Sequence, residues 1–223
     1  MREITLSFVR KVTANDPERV RDAEGTIGRL RNTWRASAGR ALADRYADLY
    51  GQVDAEIETA KRQLTASLPC SKGCDHCCRF NQILVSPYEA VLVVRHIEKL
   101  PEPERAAVIA RILATPHASG GGSPCALLDS SGCAVYADRP LPCRGYYSLS
   151  EAACRARLYE GGPNPATLLA SRVVEFAALE VSQSGKSPPY EINVLLRRIY
   201  SSPAKISQWA AGVPTDETDQ AVR

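Results

Sequence analysis

The chain has 223 residues, 44% of them hydrophobic and 24% charged, with a formal net charge of +3. Those figures fit a globular chain with room for one large domain, or a small one with appendages. They exclude the concentrated basic stripe of a nucleic-acid surface. No apolar run approaches the roughly 20 residues needed to cross a bilayer. The opening MREITLSFVRKV has no hydrophobic signal core, so the chain is expected in the cytoplasm, away from membranes.

In chain order, the first dozen residues read as a short strand, with Ile4, Leu6 and Phe8 alternating against Glu3, Thr5 and Ser7. Asp16-Pro17 is an N-cap followed by proline at the first helical position. Apolar residues then recur at helical spacing from Val20 through Ile27, Leu30 and Trp34, and on from Leu42 to Leu64. The pattern predicts two long amphipathic helices, or one weakened near Gly39, with breaks admissible at Gly25, Gly28 and Gly51. Gln82–Val85 reads as a short strand, and Ser86-Pro87-Tyr88-Glu89 as a capping box opening a helix to about Leu100. A second helix is expected over Glu104–Ala114, a flexible glycine loop over His117–Ser123, and an extended piece at Ala134–Tyr136. Further helix starts are read at Ser148–Glu151, Asn164-Pro165, Ser187-Pro188 and Ser202-Pro203.

The fold class expected is mostly α, a helical domain around an irregular cysteine-rich core with at most a few short strands. Four regions follow: N-terminal amphipathic helices over 1–67, the cysteine region over 68–160, C-terminal helices over 161–212 and a polar, disordered tail over 213–223. The N-terminal helices offer a surface for a protein partner, although most amphipathic faces cover their own core.

Eight cysteines, Cys70, Cys74, Cys77, Cys78, Cys125, Cys133, Cys143 and Cys154, crowd the middle of the chain. In a reducing cytosol such density points to metal rather than disulfides, and a chain this long needs no staples. The vicinal pair Cys77-Cys78 bridges poorly without strain. Separations of two or three residues let a turn aim thiolates inward, and Gly73 supplies the backbone freedom for it. All eight are candidate ligands, filling either two four-ligand sites or one site with sulfurs to spare. Asp75 and His76 are expected at the surface, His96 and His117 as ordinary solvated residues, and Tyr136, Tyr146 and Tyr147 as packing around the site. Soft thiolates suit both zinc and iron–sulfur clusters, so ligand type alone does not decide the metal.

Cys70-x3-Cys74-x2-Cys77 has the spacing of radical-SAM enzymes, with His76 where an aromatic residue often stands. That chemistry resides in a barrel of alternating strands and helices, which this sequence does not encode, and Cys78 and the later cysteines are foreign to it. The segment Cys125…Gly132-Cys133-Ala-Val-Tyr136-Ala-Asp-Arg139-Pro140-Leu-Pro-Cys143-Arg144, placed after the CxxxCxxCC group, instead resembles the YkgJ-type cysteine-cluster family. Ala153–Arg157 is similar to a further segment of some members, so the likeness runs from about Cys70 to Arg157. The resemblance implies a zinc- or iron-chelating domain. Related domains in flagellin lysine methylases involve an iron–sulfur cluster and S-adenosylmethionine. The expectation is therefore an iron–sulfur cluster, [4Fe-4S], with zinc as the alternative. A zinc-organised interaction module and a SAM-dependent, methylase-like enzyme are the competing functions. Arg79, Arg139 and Arg144 flank the cysteines and are read as second-layer residues that neutralise a thiolate centre, against the plainer reading of backbone-bonding arginines.

Overall fold

The computed structural model describes residues 2–65, 67–70, 73–79, 83–116, 123–160, 166–182 and 189–212. Among them are ten helices. In chain order these are α1 (Arg2–Thr13), α2 (Pro17–Ala36), α3 (Leu42–Arg62), α4 (Pro87–Lys99) and α5 (Glu104–Ala114). They continue with α6 (Leu141–Arg144), α7 (Glu151–Glu160), α8 (Leu169–Ser182), α9 (Ile192–Tyr200) and α10 (Pro203–Ala210). The described strands are two residues each: β1 (Leu84–Val85), β2 (Leu128–Asp129), β3 (Gly132–Cys133) and β4 (Tyr190–Glu191). The chain is mostly α, as its sequence predicts. It divides into two compact units, one of Met1–Arg40, Asp44–Ser71 and Arg144–Lys186, the other of Ala41–Ala43, Lys72–Cys143 and Ser187–Arg223.

In the first unit, the segment read as a strand is a helix. Thr5, Val9 and Thr13 lie buried at four-residue spacing, and Phe8 stacks on Phe176 of α8 with ring centroids 4.2 Å apart. The neighbours of α1 are the helices α2 and α8, which offer no sheet edge. A lone strand there would strand its backbone groups, whereas a helix pairs them internally. Ala14 and Asn15 end α1 with φ of 53° and 61°, and Asn15 N–H closes the end on Arg10 C=O at 3.1 Å. Asp16 caps α2 as expected, its carboxylate accepting from Glu18 and Arg19 N–H at 3.0 Å each. Helices α2 and α3 run through Gly25, Gly28 and Gly51, and the break falls only around Gly39. Ala23, Ile27, Leu30 and Trp34 form the buried stripe of α2, and Tyr46, Leu49, Val53 and Ile57 that of α3.

One buried acid joins these two helices. Glu56 accepts from Arg29 Nε at 2.6 Å, Thr26 Oγ1 at 2.9 Å and Gln52 Nε2 at 2.7 Å. Burial pushes its carboxyl up, but the Arg29, Thr26 and Gln52 hydrogen bonds outweigh that and hold it below its ordinary value.

In the second unit α4 is buried on nearly every side, through Ala90, Val91, Val93, Val94 and Ile97, with α5, α9 and α10 against it. The capping box at its start is realised: Glu89 N–H donates to Ser86 Oγ at 3.2 Å, and Ser86 N–H to Glu89 Oε2 at 2.9 Å. The expected strand near Val85 forms by pairing antiparallel with β4, Leu84 opposite Glu191 and Val85 opposite Tyr190. Helix α5 has the bounds the sequence predicts, and Pro203 opens α10.

Three local expectations are corrected. The extended piece lies at Gly132–Cys133 rather than Ala134–Tyr136, because the hairpin partner Leu128 sits opposite Cys133 and the chain then turns into a 3-10 segment at Tyr136–Asp138. Ser148 is not the cap of α7. It bridges to Thr167, leaving Ser150 to accept from Ala153 N–H at 3.2 Å. Helix α9 starts at Ile192, capped by the Glu191 carboxylate on Val194 N–H at 2.8 Å. Asn164-Pro165, Ser187-Pro188, the His117–Gly122 stretch and the 213–223 tail lie outside the described residues.

Because the Glu56 carboxyl is depressed on folding, its contribution is complete above its unfolded value of 4.5 and drains away as the pH falls through the folded value. Glu56→Gln is expected to cost about 1–3 kcal/mol at pH 7. The gap to wild type should narrow toward pH 3, as read by urea denaturation across that range.

Candidate metal centre

The second unit holds six of the eight cysteines, Cys74, Cys77, Cys78, Cys125, Cys133 and Cys143. Gly73, with φ of 97°, turns the chain before Cys74, and a single 3-10 turn, His76–Arg79, then carries Cys77 and Cys78. Cys78 N–H closes that turn on Asp75 C=O at 2.9 Å. Cys125 N–H donates to Cys78 C=O at 2.8 Å, which fixes the second cysteine segment directly against the first. The β2–β3 hairpin places Cys133 opposite Leu128. Its glycine, Gly132, has φ of 115°, and a Cβ there would meet the Gly73 backbone at 3.6 Å. Two left-handed glycines thus pack the two cysteine loops together. Cys143 sits on the one-turn helix α6, its N–H on Pro140 C=O at 2.9 Å.

The electrostatics of these thiols are coupled. A hydrogen bond with the Cys78 thiol, then burial, pushes Cys77 well up. Burial raises Cys125 to about 12, with Cys133 and Cys77 adding to the effect. Cys133 is raised by burial and partly relieved by the Arg139 guanidinium. Cys143 is half-buried as a residue, yet its thiol is desolvated and feels Cys125, Cys77 and Cys133 in turn, so it lies well above the ordinary thiol range. Cys77, Cys125, Cys133 and Cys143 therefore share one field, with Cys78 alongside. A group of thiols in this state ionises only when a cation compensates it. No disulfide joins any of the eight. Among the described residues, no three or more Cys, His, Asp or Glu side chains are arranged to hold a single metal ion.

The remaining predicted residues fall into place around this group or apart from it. Arg139 sits over the Tyr136 ring at 4.0 Å and acts electrostatically on Cys77 and Cys133. Arg79 pairs with Asp75, whose carboxyl that guanidinium holds below its ordinary value. Arg144 is buried in the first unit, paired with Asp54 and lying over Tyr50 at 4.4 Å. That unit also contains Cys70, whose Sγ accepts from Ser148 N–H at 3.3 Å, and Cys154, buried on α7. Tyr147 is buried there beneath the Lys61 ammonium. His96 is not an ordinary solvated residue: it is half-buried, with Nδ1 2.7 Å from Asp138 Oδ2.

Residues 69–160 match the CxxCxxCC family model, described as a "putative zinc- or iron-chelating domain". The matched segment spans all eight cysteines. A metal cofactor is thereby supported for the CxxCxxCC segment. Comparisons with curated proteins and with solved structures return no match.

The residue that the sequence reading undervalued is Glu89. Beyond its capping role, its Oε1 accepts from Leu141 N–H at 2.7 Å, tying the buried start of α4 to the turn that carries Cys143. It is 3% exposed, and burial raises its carboxyl against the pull of the Ser86 and Leu141 N–H groups. The available signal was composition: from Pro87 to Val94, Glu89 is the sole charge in a helix otherwise apolar all round. Glu89→Ala leaves two buried N–H groups without an acceptor. An expected loss of about 2–4 kcal/mol, seen as a lower urea midpoint, should come with weaker metal retention during dialysis against chelator.

Proposed function

We propose that this chain holds an iron–sulfur cluster, [4Fe-4S], through thiolates drawn from Cys77, Cys125, Cys133 and Cys143, with Cys78 beside them. The observation that carries this reading is the meeting of the cysteine segments, with Cys125 N–H on Cys78 C=O at 2.8 Å and Gly132, next to Cys133, packed on the Gly73 backbone. Burial together with neighbouring thiols pushes Cys77, Cys125 and Cys143 up. The donor set is also all sulfur, which suits iron–sulfur centres and structural zinc alike but excludes the hard cations. Cys74, on the loop that leads into Cys77, completes the proposed ligand pool.

When bound, such a cluster supplies one-electron chemistry or an open iron. The chain's own residues do the rest. The raised thiols give up their protons on loading, Arg139 offsets the accumulated negative charge, and Glu89 fixes the Cys143 turn through Leu141 N–H. We place the protein in the cytoplasm, where thiols in this state stay reduced. Metal binding ranks above any named enzymatic activity, and methyl transfer remains a secondary reading that rests on resemblance alone.

Anaerobic purification followed by iron, zinc and acid-labile sulfide analysis decides between the metals. The expected result is about four irons per chain with matching sulfide, and a broad visible absorption that dithionite bleaches. Zinc without sulfide would sink the cluster in favour of a zinc-organised module. Cys125→Ser and Cys143→Ser should each lose most of the iron and the colour.

A further inference from the structure

A cavity of about 580 Å³ opens in the second unit among α4, α5 and the segment following β2, within the roughly 300–1,000 Å³ of small-molecule sites. Cys133 forms part of its wall. Leu100, Val108, Ala134 and Tyr136 line it with apolar surface. Against that surface stand two opposite charges, Arg111 on α5 and Asp129 at the end of β2.

The two charges are held in place but only loosely joined. Arg111 Nη2 is 3.4 Å from Asp129 Oδ2, at the outer edge of hydrogen bonding. Each is fixed by other contacts. Arg111 Nε donates to Ala126 C=O at 3.3 Å, and Asp129 Oδ1 accepts from Ser131 N–H at 2.8 Å and Ser131 Oγ at 2.6 Å. Both side chains are about a third exposed, at 32% and 29%, so a ligand can reach them. His96, the other basic side chain on the wall, is already engaged by Asp138.

The geometry points to a binding site for a small zwitterion of the α-amino-acid class with an apolar side chain. Its ammonium would rest on Asp129, its carboxylate on Arg111 and its side chain on the Leu100–Val108 surface. An α-amino acid carries its two charges one carbon apart, which suits a guanidinium and a carboxylate set side by side. A simple anion meets the repulsion of Asp129 and Glu104 on the same wall, and a simple cation brings no acceptor for the Arg111 guanidinium. Charge-assisted hydrogen bonds from both ends are the stronger kind, and a bound zwitterion replaces the weak 3.4 Å contact with two of them. The site deepens the metal-centre reading, since its occupant would lie next to Cys133, but binding itself requires only the protein walls.

The test is isothermal titration calorimetry of the full chain, purified anaerobically, with L-leucine, 3-methylbutylamine and 4-methylpentanoate. L-leucine is expected to bind at least ten-fold more tightly than either half-molecule. Asp129→Asn keeps an acceptor for Ser131 and should reduce leucine to the affinity of the acid. Ala107→Trp fills the cavity from an exposed position on α5 and should abolish the leucine signal, with circular dichroism and metal content unchanged. Equal affinity for all three compounds, preference for the amine or the acid alone, or leucine binding undiminished by Ala107→Trp would each overturn the proposal. Leucine binding to a chain that purifies without iron or zinc would uphold the cavity and defeat the metal reading. A full cluster with no leucine binding would do the reverse.

Discussion

Removing the proton from Cys143 puts negative charge into desolvated surroundings shared with Cys125, Cys77 and Cys133. The local fold of the second unit is arranged around that constraint. The loops bearing these residues meet through a backbone hydrogen bond from Cys125 to Cys78 and through the close approach of Gly73 and Gly132. Neither contact uses a side chain that would compete for a metal. Arg139 is the nearby positive charge that tempers two of the thiols. Such a group is poorly suited to exist as bare thiolates and well suited to a cation that supplies the missing charge.

Helix α4 provides the rigid support. A helix buried on nearly every side is an unfavourable place for a carboxyl, and Glu89 is tolerated there because Ser86 and Leu141 present N–H groups to it. The hydrogen bond that satisfies Glu89 also fixes the turn holding Cys143. Capping, burial and positioning are therefore one arrangement in this protein. The first unit makes parallel use of a buried acid: Glu56 joins α2 to α3 through Arg29, Thr26 and Gln52. There the hydrogen-bond partners outweigh desolvation, whereas at Glu89 desolvation wins, because no positive charge is among its hydrogen-bond donors.

The helical elements were legible because their signals are local. Asp16-Pro17, the Ser86/Glu89 box and Ser202-Pro203 mark helix starts through side-chain and proline geometry acting within one turn. The failures came where a partner far along the chain decides the outcome. Residues 2–13 alternate well enough for a strand, but their neighbours are helices, and Phe8 stacks on Phe176. Ser148 carries a cap signature, yet its bridge to Thr167 leaves the capping to Ser150. His96 looked solvated until Asp138 arrived beside it through the chain's return.

By itself, the sequence determined the class of the protein, the existence of a cysteine-cluster domain and the approximate bounds of most helices. Composition, short-range periodicity and residue spacing are properties that a chain carries before it folds. Only the tertiary structure decided which sulfurs share a field, that Glu89 fixes the Cys143 turn, and that Arg111 and Asp129 stand side by side on one cavity wall. Each of those depends on segments tens of residues apart meeting at a distance of a few ångströms. No local pattern encodes such a meeting, because its energy comes from burying the surfaces that are brought together.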